Sequence, residues 1–296
     1  MTHRFGGLWT DLKLQAVERY FSPYAQVMKR QQFKKIFVDA FAGTGERQQA
    51  AGKSDVITDG GLFGFELPSP PEVAKKGSVD IALQIKPPFD TYIFIEKRKR
   101  HAKLLKEYCA KFPDRDIRIV CMDANEALTT LCEQMSWKRY RAAVFLDPYG
   151  MQVDWQTLYT ISQTRAMDVA ILFPTGPINR VLTRSGDIPR SWQDRLDRCL
   201  GCSDWRDQFY YVQEQAGMFG SVHTLNKGAS ADQILKFAIA RLKTIFPWVS
   251  DKALTLTNSK NTVQYHLLFA CANPSPAAGK IFLRVAADAV NVQRLV

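Results

Sequence analysis

Lys35-Ile36-Phe37-Val38-Asp39-Ala40-Phe41-Ala42-Gly43-Thr44-Gly45 is the stretch whose reading decides the fold. Ile36 to Val38 is a short apolar run. Asp39 closes it with a carboxylate, and Gly43 and Gly45 follow in a tight loop. A strand that ends in an acid and turns through Gly-x-Gly is a common way for a doubly wound sheet to hold a nucleotide-like ligand. Glycine accepts positive φ and lets backbone approach the ligand closely. Alone the pattern is weak, and its meaning depends on the strands that follow.

Three later apolar runs repeat the ending. Residues 91–96 read as a buried strand closed by Glu96, residues 117–122 as a strand followed by Asp123, and residues 142–146 as a strand running into Asp147-Pro148-Tyr149-Gly150. Helical patterns over 101–112, 125–137 and 155–163 separate them, and a fifth strand over 169–173 leads into Pro174-Thr175-Gly176. This βα alternation predicts a parallel sheet. Parallel strands point the same way, so all four acids fall on the carboxyl edge, where open α/β sheets bind ligands.

The flanking segments complete the layout. Residues 8–30 carry Leu14, Val17, Tyr20, Phe21, Tyr24, Ala25 and Met28 near helical spacing. Ser22-Pro23 is expected to kink or split that helix. Lys13 has two readings, facing the ligand cleft or simply exposed. Residues 46–90 form an expanded, Gly- and Pro-rich connection with a helix expected near 69–76. Residues 177–249 break the rhythm and read as helical, chiefly over 188–200 and 230–245. Residues 253–257 and 262–272 read as two strands joined by the 258–261 turn, and 277–290 as a last amphipathic helix. The expected organisation is a helical segment (1–34), a core (35–176 with 251–296) and a helical insertion or cap (177–250).

Composition narrows the class. Of 296 residues, 46% are hydrophobic and 23% charged, which suits a globular protein. No apolar run reaches the about 18 residues that a membrane span needs, and the first residues lack the apolar centre of a signal peptide, so a cytoplasmic location is expected. The net charge of +11, from 40 Lys and Arg against 29 Asp and Glu, favours a polyanionic partner such as nucleic acid. The plainer meaning of such charge is solubility. Clustering at Lys97 to Arg100 and at Lys138, Arg139 and Arg141 tips the balance to nucleic acid. Cys109, Cys121, Cys132 and Cys271 sit in apolar or helical contexts and read as free thiols. Cys199 and Cys202 form a single Cys-x-x-Cys without the further ligands of a structural zinc, so no metal is expected and the role of the pair stays open.

A parallel sheet with four strand-end acids and a closing strand pair resembles the class I S-adenosylmethionine-dependent methyltransferases. That resemblance implies a doubly wound, seven-stranded Rossmann-like sheet with an antiparallel last strand. It implies a cofactor site at Asp39, Phe41, Ala42, Gly43 and Gly45, with Glu96 for the ribose hydroxyls and Asp123 with Ala124 at the adenine. Asp147-Pro148-Tyr149-Gly150 resembles the fourth motif of amino-group methyltransferases. Asp147 and the Pro148 carbonyl would accept the two hydrogens of an exocyclic amine, localising its lone pair. Tyr149 would stack on an extruded or single-stranded base. Asn179 and Arg180, after the fifth strand, would read a substrate edge and a phosphate, or else anchor the inserted helices. The plain alternative for each acid is a helix cap, and for Asp-Pro-Tyr-Gly a turn.

Trp9-Thr10-Asp11-Leu12-Lys13-Leu14, the Asp39–Gly45 loop, Phe145-Leu146-Asp147-Pro148-Tyr149-Gly150 and Leu172-Phe173-Pro174-Thr175-Gly176 with Asn179-Arg180 together resemble the three-Cys-motif partner family. That likeness implies a three-cysteine, radical-SAM-like partner protein and a phage or mobile-element setting. Glu46-Arg47 stands where a third glycine is often found. The first reading is therefore an S-adenosylmethionine-dependent methyltransferase acting on an amino group of a nucleic-acid base. Two other readings are a non-catalytic adaptor of the same fold and, more weakly, a metal-dependent nuclease.

Overall fold

The computed structural model describes residues 8–45, 77–217 and 220–292. The helix expected near 69–76 and the Glu46-Arg47 continuation lie outside the described residues.

The sheet is built from β1 (Lys34–Asp39), β2 (Thr91–Ile95), β3 (Ile117–Val120), β4 (Tyr140–Leu146) and β5 (Met167–Phe173), all mutually parallel. β10 (Val263–Cys271) runs antiparallel beside β5. The order is β3-β2-β1-β4-β5-β10-β8, the doubly wound methyltransferase-type arrangement expected from the sequence. One more strand is present than expected, because the edge beyond β10 is interrupted. β8 (Trp248–Val249) pairs with Ala270 and Cys271, and β9 (Leu254–Thr257) resumes the pairing at Leu267. Between them Ser250 turns its hydroxyl onto the Lys252 carbonyl at 2.8 Å, so the ladder lapses for a few residues.

Side-chain alternation splits the core into two layers, as period-two strands require. Ile36, Val38, Val144 and Leu146 face one apolar cluster, and Phe37, Ala143 and Phe145 face the other. The first face is covered by α4 (Ala124–Gln134), α5 (Trp155–Gln163), α7 (Arg190–Leu200) and α9 (Ala231–Lys243). The second is covered by α1 (Leu8–Lys29), α2 (Ser78–Gln84), α3 (Lys99–Cys109) and α10 (Pro276–Val290).

Pro23 does not split α1, which runs unbroken over 22 residues. An internal proline costs a helix about 3 kcal/mol. Here Tyr20, Phe21 and Ala25 are fully buried on the same face, and Tyr20 stacks on Phe269 at 4.4 Å. Burying two aromatic side chains is worth roughly that amount or more, so packing holds the helix through the proline.

The segment 177–250 is not wholly helical. It holds α6 (Thr175–Val181, which starts just before it), α7, α8 (Trp205–Phe209) and α9, but also an antiparallel hairpin, β6 (Tyr210–Gly217) with β7 (Gly220–Lys227). The signal was present as Tyr210-Tyr211-Val212, a β-favouring run, with Gly217 and Gly220 bracketing the turn. Lys227, at the end of β7, donates to the carbonyls of Asn179 and Leu182 at 2.6 and 3.0 Å and so caps the C-terminal end of α6.

Candidate functional site

The loop after β1 is fixed by its neighbours. The Ala40 amide donates to the Phe145 carbonyl of β4 at 3.1 Å, and the Ala42 amide to the Ile95 carbonyl of β2 at 3.0 Å. Gly43 and Gly45 both adopt positive φ, +63° and +81°. A side chain at Gly43 would point into open space. One at Gly45 would sit 2.8 Å from the Tyr108 ring. Gly43 is therefore free to meet a ligand, whereas Gly45 is needed for the loop to pass under α3.

Asp39 is completely buried. Its Oδ1 accepts the Phe41 amide at 3.0 Å, while Oδ2 has no hydrogen-bond partner among the described residues. Burial drives its pKa up to about 6. The Ser78 side chain and the Phe41 amide oppose that shift, the Asp147 charge adds to it, and Lys13 opposes it. An orphaned buried acceptor costs about 1–3 kcal/mol, and native proteins rarely leave one without a use.

Asp147 lines a cleft together with Gly43 and Gly45 of the loop after β1. Its Oδ2 accepts from Lys13 Nζ at 2.5 Å, with side-chain exposures of 23% and 7%. Of the two readings of Lys13, the structure selects the cleft. α1 brings it there from 134 residues away, and the ammonium lies over the rings of Trp9 and Phe145, at 5.4 and 6.0 Å. Trp9 in turn stacks parallel to Tyr265 at 6.0 Å, and the Tyr265 hydroxyl accepts the Gly150 amide at 3.3 Å. The Asp-Pro-Tyr-Gly turn is thus pinned from β10. Its Tyr149 ring is 64% exposed, and the Tyr149 amide donates to Gln152 Oε1 at 2.9 Å.

The cleft has a volume of about 300 Å³ and is lined by Thr10, Lys13, Leu14, Ala42, Gly43, Thr44, Gly45, Gly77, Ser78, His101 and Asp147. It unites the glycine loop with the fourth-motif acid. Glu96 and Asp123 lie on the same sheet edge but do not line the cleft. Glu96 Oε1 accepts the Arg98 amide at 2.8 Å at the start of α3, with His101 Nδ1 3.9 Å away. Asp123 is the N-cap of α4, accepts the Asn125 amide at 2.9 Å, and meets exposed Lys97 at 3.3 Å. Ala124 begins that helix and is buried. Asp123 therefore caps α4, whereas Glu96 holds the amide of Arg98, the residue that precedes α3, without capping the helix itself. Phe41 is half-buried in the loop between β1 and Gly43.

Asn179 and Arg180 also lie off the cleft lining. Arg180 donates to Gln264 Oε1 at 2.9 Å, and Asn179 Oδ1 is buried without a hydrogen-bond partner among the described residues. Ser78, His101 and Tyr265 were not legible in this region, because nothing in their local pattern sets them apart from core or surface, and Trp9 stood out only within the 9–14 segment of the family resemblance, with no role attached. Among the described residues no helix is long and apolar enough to cross a membrane.

No protein-family model matches the chain, and no curated protein is significantly similar to it. Solved structures are similar in shape at low identity. A Legionella pneumophila protein, LPL1258, shares 12% identity over 97% of this chain and 94% of its own, with a TM-score of 0.44. A S-adenosylmethionine-dependent methyltransferase from Clostridium acetobutylicum shares 10% identity over 86% and 91%, with a TM-score of 0.36. The N-terminal domain of EvdMO1 with SAH bound shares 11% over 84% and 80%, with a TM-score of 0.37. At such values the strand order, not the likeness, carries the description of the fold.

Proposed function

We propose that this protein is an S-adenosylmethionine-dependent methyltransferase that acts on an amino group, with a nucleic-acid base as the substrate class. The observation that carries the reading is a cleft lined by both the open Gly43 and Asp147, with the buried, half-unpartnered Asp39 at the base of the same glycine loop. The cleft volume falls at the lower end of small-molecule sites, about 300–1,000 Å³. The residues fit the cofactor: Asp39 Oδ2 is an acceptor in search of a donor such as an ammonium, and Gly43 leaves backbone exposed where the ligand's amino-acid end would pass. When bound, the cofactor supplies a methyl group activated on a sulfonium.

The rest is the work of this chain. Asp147 and the Pro148 carbonyl would accept the hydrogens of the target amine and so orient its lone pair. This is positioning and preorganised electrostatics. Tyr149, exposed at the lip, offers a ring on which a base stacks. Glu96 and Asp123 turn from these backbone amides to the ribose and the adenine.

Charge at the rim supports the polyanion. Arg98, Lys99 and Arg100 open α3, and Lys103 and Lys106 follow on its exposed face, without an ion pair among the described residues. Cations at a helix N-terminus oppose the macrodipole by about 0.3–1 kcal/mol each. Such a cluster, adjoining His101 of the cleft, suits phosphates better than it suits the helix.

The test is calorimetric titration with S-adenosylmethionine, followed by transfer of labelled methyl to RNA and DNA. Binding is expected in the wild type and lost in Asp39→Ala. Transfer is expected to be lost in Asp147→Asn with binding kept. No measurable cofactor binding by the wild type would end the reading. The adaptor reading draws on one observation, that Asp147, Glu96 and Asp123 are all engaged by protein groups. Nucleic-acid binding that survives Asp39→Ala with Glu96→Ala, without transfer in any form, would favour it. A three-cysteine partner protein belongs to that reading as its docking target.

A further inference from the structure

We propose that Lys13 is a charge filter, restricting the acceptor docked on Asp147 to a neutral amine and turning away ammonium groups such as a lysine side chain. The inference rests on the methyltransferase reading above and names the acceptor class of that same site.

Lys13 is fixed rather than wandering. Its ammonium touches Asp147 Oδ2 at 2.5 Å, its side chain is almost wholly buried, and the rings of Trp9 and Phe145 hold it from two sides. Trp9 is itself braced on Tyr265. Among the described residues only one oxygen of Asp147 is paired, so an acceptor docks on the other. Two donors on the two oxygens of one carboxylate stand about 5 Å apart. An incoming ammonium would therefore place a second positive charge about 5 Å from Lys13, in a cleft where water screens little. Asp39 gives no relief, because its free oxygen is committed to the cofactor in this reading. An exocyclic base amine carries two N–H donors and no charge. It satisfies Asp147 and the Pro148 carbonyl without meeting that repulsion. Like-charge juxtaposition of this kind sets specificity by excluding the wrong partner.

Lys13 acts through Asp147 and is a positioning residue in this scheme. The experiment measures binding of adenosine, cytidine, Nα-acetyl-lysine methylamide and its uncharged counterpart Nα-acetyl-glutamine methylamide. Wild type, Lys13→Met and Lys13→Arg are each compared with S-adenosylhomocysteine present. Initial rates with S-adenosylmethionine follow. The wild type is expected to prefer the neutral amines over the lysine compound by about tenfold or more. Lys13→Met is expected to shrink that ratio about tenfold, through a lower KM for the lysine compound. Lys13→Arg, which keeps the charge, is expected to restore it. A structural role alone would weaken all ligands together.

Equal binding of lysine and glutamine compounds by the wild type overturns the filter, and does so even if Lys13→Met fails to fold. An unchanged ratio in a folded Lys13→Met overturns it too. Failure of the parent reading shows separately. No binding of S-adenosylhomocysteine by the wild type removes both, whereas binding together with a preference for ammonium removes the filter alone.

Discussion

Two pairs of acids end four neighbouring strands, and they have met different fates. Glu96 and Asp123, after β2 and β3, spend themselves on the next helix and on surface cations. Asp147, at the end of β4, lines the cleft and is paired to a buried lysine, and Asp39, at the end of β1, lies buried at the base of the cleft's glycine loop with one oxygen unmet. The acids are alike in type and place on the sheet edge. What separates them is their partners. Asp39 is sealed in with one oxygen unmet and Asp147 holds Lys13 of α1, while Glu96, though only 12% exposed, takes the Arg98 amide, and Asp123, 40% exposed, takes the Asn125 amide. A strand-end acid is thus a candidate, and burial without a full set of partners is what sets Asp39 apart from the others.

The comparison is broken most sharply by removing one acid from each pair. Asp39→Ala is expected to weaken S-adenosylmethionine binding about a hundredfold or more in calorimetry, in line with about 3 kcal/mol or more. Asp123→Ala is expected to cost about 1 kcal/mol of stability as a lost N-cap and to weaken binding only a few fold. Equal effects on binding would erase the distinction between the pairs.

Stability sharpens it next. Asp147→Ala strands a buried ammonium and is expected to destabilise by about 3 kcal/mol in urea melts, the lower end for a broken buried pair because Asp147 is partly exposed. Lys97→Ala breaks an exposed pair and is expected to change stability by less than about 1 kcal/mol. Joint replacement, Lys13→Met with Asp147→Leu, is expected to recover most of the loss, since it is the unpaired charge that costs.

The pH dependence follows from burial. Asp39 binds its proton more tightly in the folded state, about 6 against an ordinary carboxylate value of 3.8. That contribution is full below the unfolded value and is lost as pH rises through about 6. Asp39→Asn is therefore expected to stabilise the protein above pH 6, by up to about 3 kcal/mol, and not at pH 4. His266 works the other way. Buried against the Thr175 hydroxyl at 2.7 Å, it is held down to about 4, so stability is expected to fall as pH drops from about 6.5 toward 4. Thermal melts of wild type and Asp39→Asn from pH 4 to 8 check both signs.

The smallest expected contrast lies inside the glycine loop. Gly43→Ala pays only for its positive φ, about 1–2 kcal/mol. Gly45→Ala adds a collision with Tyr108 and Leu105 and is expected to cost clearly more in the same melts. Cofactor affinity is expected to reverse that order, because Gly43 is the one that faces open space.

Much of this was legible in the chain. The runs ending at Asp39, Glu96, Asp123 and Asp147 stood out because short apolar strands and interposed helical periods are local signals. The 210–227 hairpin was not read, since Gln213-Glu214-Gln215 and Ser221, His223, Thr224 and Asn226 dilute the apolar alternation of its two eight-residue strands. Whether Ser22-Pro23 would kink or split α1 stayed open, because a proline argues locally for a break and only the packing of Tyr20 and Phe21 answers it.

By itself the sequence determined that the four acids share an edge. Successive strands joined by helices run parallel, so residues that close them must lie together. Only the tertiary structure decided which acids would be buried and with whom. Lys13 reaches Asp147 across 134 residues, and no local pattern encodes such a meeting. Desolvation is a property of everything packed around a group, which is why Asp39 is sealed in and Asp123 caps a helix from the same beginning.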